Sequence, residues 1–468
     1  MPLLSTIGAA AARAFGFLRS LISGYNVANS LRFNSASSDY LNRTPATTTN
    51  RRTWTWSGWV KRATISGTQV LFGHNDYPTL QTSIRFTTDN TLSLAGTGFT
   101  GPDESVTSNQ LFRDVSAWYH LVVAVDTTQA TSSNRVKLYS NGVEITSLLY
   151  NGYPTQNLDT AFNYNAAINY IGATNTPTAN ANLYMSEVNF IDGQQLTPSS
   201  FGQTDPSVPS SGIWQPKAYT GSYGTNGFYL KFANSAALGT DSSGNGNNFT
   251  VNNLTSVDQS TDTPTNNFAT FNSIKFSGGD LTQGNLELDS TSGNWKNRNS
   301  TIGVTTGKWF MEFKMGTILD DQSGVAIVPD TVPDGNFPAT DATRSPAISY
   351  NSDGKKWVNG SATSAYFSVM STNDIIGIAL DMTGGTVQFY RNGSTTGSPI
   401  NLSDAFTSAN YPLFFVAAVF NTRDVQANFG SPMYAGGSFA DAAGFGNFSY
   451  AVPSGYYALC TKNLANFG

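Results

Sequence analysis

The feature of this sequence that most restricts its fold is a two-residue alternation of apolar and polar side chains, written in short runs. Runs such as TQVLFG (68–73), TLSLAG (91–96) and IIGIALD (375–381) are bounded by Gly, Asn, Asp, Pro or Ser. A period of two places successive side chains on opposite faces of an extended chain, and the bounding residues favour turns. Many short strands at regular spacing predict antiparallel sandwiches and argue against βαβ units.

One phrase of this pattern occurs twice. KLYSNGVEI (137–145) follows a strand-like run that ends at Asp126, and QFYRNG (388–393) follows a similar run that ends at Asp381. Asn-Gly between two alternating runs favours a type I′ hairpin turn, because both central residues of that turn need a positive φ. The repeated phrase therefore predicts two related sandwiches that use the same hairpin.

The composition limits the functions that such a chain can have. Charged residues make up 12% of 468 residues, and the net charge of -5 provides no broad cationic surface for a phosphate backbone. One Cys and two His exclude an intrachain disulfide and a Cys/His zinc site. We expect no nucleic-acid partner, no metal and no cofactor.

The N-terminal segment, residues 1–25, is Ala-rich and reads as neither strand nor turn. Arg13 and Arg19 interrupt its apolar run, which argues against a secretory signal and against a membrane span. We predict a short amphipathic, helical arm that docks on another protein through Arg13, Phe15, Phe17 and Arg19. Packing on its own domain and lying on a membrane surface are the alternatives.

The alternating pattern divides the chain into an all-β tandem of two jelly-roll sandwiches. The FYLKF run (228–232) lies in a turn-rich stretch and could add a strand to either sandwich. The predicted segments are an arm (1–25), a first sandwich (26–205), an Asn/Gly-rich bridge (206–272), a second sandwich (273–432) and a tail packed on the second sandwich (433–468).

Each sandwich resembles a known domain family. WTWSGWVK, AWYHLVVAVD, VKLYSNGVEI, YIGA and YMSEVNFIDGQQLTPSSF, in that order, resemble a laminin-G-like, concanavalin A-type jelly roll. That resemblance implies a two-sheet sandwich whose concave face or rim loops often bind carbohydrate or protein. GKWF, DIIGIALD, FYRNG, YPLFF and NFG (428–430) resemble a SPRY domain. This second resemblance implies a related sandwich that binds proteins through its loops and has no enzymatic activity.

The tandem as a whole carries a further resemblance. The two domains, the GTDSSGNGNNFTVNNL bridge, the GYYALCTKNL tail and the leading STIGAAAARAFGF together resemble virion structural proteins of tailed bacteriophages. This resemblance implies a noncatalytic head fibre, decoration protein or short tail fibre in the virion, docked on capsid or tail proteins by the arm. A host-surface glycan is the implied ligand, and a trimer is an assembly compatible with it. The alternative is a cellular or secreted carbohydrate-binding lectin.

Carboxylates give little support for catalysis. Glucanases on this scaffold need two carboxylates about 5 Å apart for a retaining mechanism. The nearest sequence match, Glu287 and Asp289, has Ser292 where the third carboxylate would stand. We therefore predict that the chain is not an enzyme. No calcium-loop spacing connects the remaining aspartates, and turn caps are the expected role of Asp76, Asp89, Asp103, Asp192 and Asp241.

Aromatic residues supply the candidate ligand contacts, because an exposed ring can stack on a sugar whereas a buried ring fills a core. The strand aromatics Trp54, Trp56, Trp118, Trp309 and Tyr390 are predicted to lie in the cores. The aromatics predicted to lie in loops at the surface are Tyr77, Tyr150, Tyr153, Trp214, Trp357 and Tyr366. Of these, Trp357 and Tyr366 in the second sandwich and Tyr77 and Tyr153 in the first are predicted to bind a ligand.

Overall fold

The computed structural model describes residues 25–468 except 77, 102, 175–179, 206–211, 275–279, 291–294, 319–322, 333–345 and 422. The chain forms two compact units, and the boundary between them falls between Thr265 and Asn266. The described residues are almost entirely strands and turns, so the predicted all-β fold with two sandwiches is confirmed. The predicted N-terminal arm lies outside the described residues.

The first unit contains the strands β1 to β18. Their bounds are β1 (Ser30–Phe33), β2 (Tyr40–Arg43), β3 (Thr53–Arg62), β4 (Gln69–Asp76), β5 (Leu80–Phe86), β6 (Thr91–Gly96), β7 (Ser105–Leu111), β8 (Trp118–Asp126), β9 (Val136–Ser140), β10 (Val143–Glu144), β11 (Leu148–Asn151), β12 (Asn169–Ile171), β13 (Leu183–Asp192), β14 (Gly202–Thr204), β15 (Trp214–Pro216), β16 (Phe228–Leu230), β17 (Thr250–Asn252) and β18 (Gln259–Ser260).

Two antiparallel sheets form the first sandwich. Sheet A has the strand order β10-β9-β8-β3-β13-β1-β18, with β16 also paired to β13, and sheet B has the order β11-β7-β6-β5-β4-β12-β2-β17. The inner faces of both sheets meet in one apolar core that includes Trp54, Trp56, Phe72 and Phe190. Trp54 and Trp56 are fully buried there, as the alternation of β3 predicts.

The segment 206–272, predicted as a bridge, contributes three strands to the first sandwich. Strand β16 pairs with β13, β17 pairs with β2, and β18 pairs with β1. The sequence pattern left open which sandwich receives FYLKF, and the structure places it in sheet A. Strand β16 belongs to the first unit because it pairs with β13 and because the side chains of Phe228 and Leu230 are buried in the core of that unit.

The second unit contains β19 to β32 and one short α-helix. Their bounds are β19 (Asp280–Thr282), β20 (Glu287–Ser290), β21 (Trp295–Asn299), β22 (Lys308–Met315), β23 (Ser323–Pro329), β24 (Ile348–Asn351), β25 (Lys356–Val358), β26 (Ser361–Thr363), β27 (Ile375–Asp381), β28 (Thr386–Arg391), β29 (Ser394–Asn401), β30 (Leu413–Phe420), β31 (Arg423–Asn428), β32 (Tyr457–Ala458) and α1 (Thr461–Phe467).

The second sandwich also consists of two sheets, sheet C and sheet D. Sheet C has the order β19-β20-β31-β22-β27-β28-β29, and sheet D has the order β21-β30-β23-β24-β25-β26. The C-terminal segment lies on sheet C, where β32 pairs in parallel with β22. The buried Glu312 carboxylate of β22 accepts hydrogen bonds from the backbone N–H groups of Ser449 and Tyr450, at 2.8 and 3.0 Å.

The two Asn-Gly turns have the predicted geometry. Asn141 and Gly142 have φ values of 47° and 83°, and Asn392 and Gly393 have φ values of 49° and 79°. All four lie in the left-handed region that a type I′ turn requires. Each turn is also covered by an aromatic ring from later in the chain. A Cβ added to Gly142 would lie 2.6 Å from the Trp214 ring, and one added to Gly393 would lie 2.6 Å from the Tyr450 ring.

We expect Gly142→Val and Gly393→Val each to destabilise their own unit by about 1–3 kcal/mol from backbone strain, and further through the displaced ring. Gly193→Val and Gly385→Val are matched controls, because both glycines have positive φ but no atom within 4 Å of an added Cβ. Hydrogen exchange at increasing denaturant concentration, followed separately in each unit, measures the loss of unfolding free energy. Equal losses for a variant and its control would show that the covering ring contributes nothing.

Candidate ligand-binding face of the first sandwich

The outer face of sheet A is closed. Trp59, Trp118 and Tyr184 form a buried cluster on this face, against which Trp214 packs. A neighbouring cluster joins Val122 and Ile191 of the sheet to Phe201. Trp118, predicted as a core residue, is therefore buried on the outer face of the sheet, because a later segment covers it. No ligand can reach these side chains without displacing that segment.

The segment that covers the outer face of sheet A, called here the covering segment, includes Phe201, Trp214 and Asp262. Ionic contacts hold the part around Asp262 in place. Lys61 Nζ lies 2.7 Å from Asp262 Oδ2, and both side chains are almost completely buried. The other carboxylate oxygen of Asp262 accepts a hydrogen bond from Trp118 Nε1 at 3.0 Å. Arg32 forms a second buried pair with Asp258. Breaking one partner of a buried pair leaves an uncompensated charge, so these contacts specify where the segment lies.

His120 lies in the same region, and its hydrogen bonds exclude a role as a general base. Trp214 Nε1 donates to His120 Nδ1 at 2.9 Å, and Ser57 Oγ lies 2.9 Å from His120 Nε2. The neutral ring therefore carries its proton on Nε2 and donates it to Ser57. No ring nitrogen remains to accept a proton from that serine. Burial lowers the pKa of His120 to about 3, so the ring stays neutral.

This histidine should make the first unit sensitive to acid. Below about pH 6.5 the unfolded chain protonates His120, whereas the folded chain does not until about pH 3. Stability that is present above pH 6.5 is then lost as the pH falls, with a slope of up to about 1.4 kcal/mol per pH unit. Denaturant unfolding between pH 7 and pH 4 should show a shallower slope for His120→Gln.

The outer face of sheet B, called here the polar face, differs from that of sheet A. The half-buried or exposed side chains of this face include Tyr40, Asn42, Arg85, Tyr150 and Tyr170. Tyr40 and Tyr170 form one aromatic platform, with ring centroids 5.8 Å apart. Tyr150, which is 39% exposed, lies at the opposite edge of the sheet on β11.

Small hydroxyl side chains lie between these larger groups. Thr107 Oγ1 donates to Ser93 Oγ at 2.8 Å and lies 3.0 Å from Ser105 Oγ. Ser93 pairs directly with Arg85 across the strands, and Thr107 pairs with Ser93. Directly opposed residues share a face of the sheet, so the hydroxyls form a neutral floor beside the Arg85 side chain. Sequence reasoning identified only Tyr150 of this face as a surface candidate, because only strand pairing brings the other members together.

Of the two ligand-binding residues predicted in the first unit, the structure describes Tyr153. Tyr153 is half-buried and lines a cavity of about 190 Å³ with Lys137 and Glu144 at one edge of the first sandwich. Tyr77 lies outside the described residues, as do Arg13, Phe15, Phe17 and Arg19 of the predicted arm. The sequence does not say which of the first unit's tyrosines share a surface.

In the second unit, Trp357 and Tyr366 are half-buried rather than freely exposed. Trp357 lies on β25, not in a loop, and packs against the apolar cluster of Ala326, Val328 and Val416. The Nζ atom of Lys356 lies 3.9 Å from the centroid of the Tyr366 ring. Both rings therefore offer less free surface for stacking than the prediction assumes. Ligand binding by these two residues stays a prediction.

The carboxylates have structural partners. Glu287 accepts hydrogen bonds from Thr282 Oγ1 and Gln426 Nε2, and Asp241 caps the turn that contains Ser243 and Asn247. In the part of the chain that the structure describes, no three His, Cys, Asp or Glu side chains cluster as a metal site. None of the described helices is long and apolar enough to cross a membrane.

The comparisons with known proteins agree with the two domain types. Residues 35–200 match the model of the concanavalin A-like lectin/glucanases superfamily, and residues 308–432 match the model of the SPRY domain. The predicted tandem of these domains is confirmed. Domains of these two types suggest a carbohydrate- or protein-binding module, and they are typically noncatalytic. No curated protein matches the chain.

Solved structures that resemble part of the chain include three SPRY domains. The SPRY domain of human HERC1 is 22% identical, with 34% of this chain and 96% of that chain covered and a TM-score of 0.28. A human SPRY domain is 15% identical, with 32% and 92% covered and a TM-score of 0.26. The TRIM65 PSpry domain is 16% identical, with 34% and 88% covered and a TM-score of 0.27. At these TM-scores the likenesses do not bear on function.

Proposed function

We propose that this chain is a noncatalytic binding protein that takes carbohydrate on the polar face of its first sandwich. The observation that carries this proposal is the contrast between the two outer faces. Sheet A is closed by a covering segment, whereas sheet B presents the Tyr40 and Tyr170 platform with Asn42 and Arg85. Aromatic rings beside planar hydrogen-bonding groups suit a sugar, which has an apolar ring face and a rim of hydroxyls.

The chemistry of the polar face favours carbohydrate over protein as the ligand. A protein interface usually has an apolar core with aromatic or aliphatic anchors in pockets. Between its tyrosines the polar face instead carries serine and threonine side chains that are buried, and its apolar members Val70 and Ala95 are buried as well. The tyrosine hydroxyls and the Asn42 amide can exchange hydrogen bonds with sugar hydroxyls without burying an unpaired charge.

We further propose that the protein is displayed on a virion, as a head fibre, decoration protein or short tail fibre. The resemblance of the arm, the bridge, the tail and the domain order to phage structural proteins supports this proposal. Docking on capsid or tail proteins would use Arg13, Phe15, Phe17 and Arg19, and the assembly would be a homo-oligomer such as a trimer. A free cellular or secreted lectin is the second candidate, supported by the concanavalin A-like match.

The carbohydrate proposal predicts that Tyr40→Ala/Tyr170→Ala abolishes binding on a glycan array, because the stacking platform is removed. Tyr40→Phe/Tyr170→Phe keeps both rings and should retain most of the binding. Trp357→Ala/Tyr366→Ala changes the second unit and should leave these glycan signals unchanged. Binding that survives loss of both tyrosine rings, or that disappears with Trp357 and Tyr366, would contradict this placement of the site.

The virion proposal predicts that removing residues 1–24 leaves both units folded but prevents incorporation into particles. Truncation should end before Tyr25, because its hydroxyl donates to the buried Glu187 carboxylate at 2.7 Å. Thermal melting and co-sedimentation with particles measure the two effects. Arg13→Ala/Phe15→Ala should reduce incorporation with unchanged melting. Truncated protein that still sediments with particles would show that the arm is not the docking element, whereas full-length protein that does not sediment with particles would favour the free lectin.

A further inference from the structure

We propose that the polar face selects carbohydrates that carry an anionic group, a carboxylate or a sulfate, and that the Arg85 guanidinium binds this group. The inference rests on the proposed function, because it names the ligand class of the same face. It is drawn from the position of Arg85, from the lack of a partner for its charge among the described residues and from the neutral side chains that surround it.

The position of Arg85 follows from strand alternation and register. Its neighbours along β5, Ile84 and Phe86, are completely buried in the core of the first sandwich. Arg85 must therefore point to the opposite side of sheet B. It pairs with Val70 of β4 and with Ser93 of β6, and both of these side chains lie on the polar face. The guanidinium is thus presented from the middle of the sheet and not from a flexible rim loop.

Arg85 differs from the other arginines of the first unit. In the described part of that unit, every other buried or half-buried arginine donates hydrogen bonds to a carboxylate, an amide or backbone carbonyls. These are Arg32, Arg43, Arg51, Arg52, Arg62 and Arg135. No hydrogen bond or ion pair to any described residue involves Arg85. Leaving a half-buried cation without a partner is costly, and an anion would supply the missing partner.

The surroundings of Arg85 do not neutralise its charge. Burial lowers the pKa of Arg85, and no nearby carboxylate raises it. The side chains next to it on the face are Ser83, Ser93 and Val70, which are all uncharged. An arginine fork matches the planar oxygen pair of a carboxylate or two oxygens of a sulfate, and such charge-assisted bonds are stronger than neutral ones. A neutral sugar hydroxyl would leave the charge uncompensated.

The spacing of the face allows one oligosaccharide to use both features. Arg85 lies on β5 and Tyr170 on β12, with only β4 between them in sheet B. Two strand spacings correspond to about 10 Å. A short oligosaccharide can therefore place one sugar ring on the Tyr40 and Tyr170 platform while an acidic substituent on another ring reaches the guanidinium. The aromatic platform supplies stacking, and Arg85 supplies the charge preference.

Calorimetry on the full chain with three probes tests the inference. The probes are an oligogalacturonate, its neutral methyl ester and a sulfated galactan oligosaccharide, which separate a carboxylate source from a sulfate source. We expect at least one acidic probe to bind about 10-fold more tightly than the neutral ester, with the preference weakening as salt is added. Binding of only one acidic probe would identify which anionic group the face takes.

Variants of Arg85 distinguish charge recognition from a structural role. Arg85→Gln should abolish the preference, so that the acidic probe binds no more tightly than the methyl ester, whereas Arg85→Lys should retain part of the preference. Arg113→Ala, which removes an exposed arginine of the same unit, is the matched control and should change neither affinity. Thermal melting of each variant reports whether the fold is kept.

The failures of the two proposals can be told apart. If the acidic probes and the ester bind equally and Arg85→Gln changes nothing, while Tyr40→Ala/Tyr170→Ala still abolishes binding, the charge preference is overturned and the carbohydrate face stands. If the tyrosine variant has no effect on any glycan, the carbohydrate face itself is wrong. An acidic preference that persists in Arg85→Gln also overturns the inference, because another cation then carries it.

Discussion

The structure of the first sandwich depends on one constraint, which is that the outer face of sheet A is too apolar to face water. Trp59, Trp118 and Tyr184 on that face must be buried, and the chain buries them with the segment that follows β13. The buried pair of Lys61 and Asp262 then fixes where this segment lies. A charged pair contributes little net stability when buried, but it penalises every other placement of the segment.

In both units an aromatic ring from a later segment packs over the glycine of a type I′ hairpin turn, where no side chain is in the way. Trp214 covers Gly142 in the first unit, and Tyr450 covers Gly393 in the second. A buried glutamate receives hydrogen bonds from the covering chain in each case, Glu187 from Tyr229 and Glu312 from the backbone of Tyr450. The doubled hairpin phrase therefore serves docking as well as strand reversal.

Covering one face determines which face remains for a ligand. Once sheet A is closed, the polar face of sheet B is the surface of the first sandwich where aromatic rings, amides and a cation meet. The same covering segment also engages His120, because Trp214 Nε1 donates a hydrogen bond to its Nδ1 atom. A rigid sheet that presents side chains from five or more strands suits recognition of an extended, repetitive ligand.

The sequence by itself determined the strands, the two sandwiches and both hairpin turns, because alternation and Asn-Gly act over a few neighbouring residues. It also indicated that Trp54 and Trp56 are core residues. Only the tertiary structure decided which sandwich takes the strand at Phe228–Leu230, that Trp357 lies on a strand, and that Arg85 shares a face with Tyr170. These outcomes depend on register between strands far apart in sequence, and local pattern carries no information about which distant strands will pair.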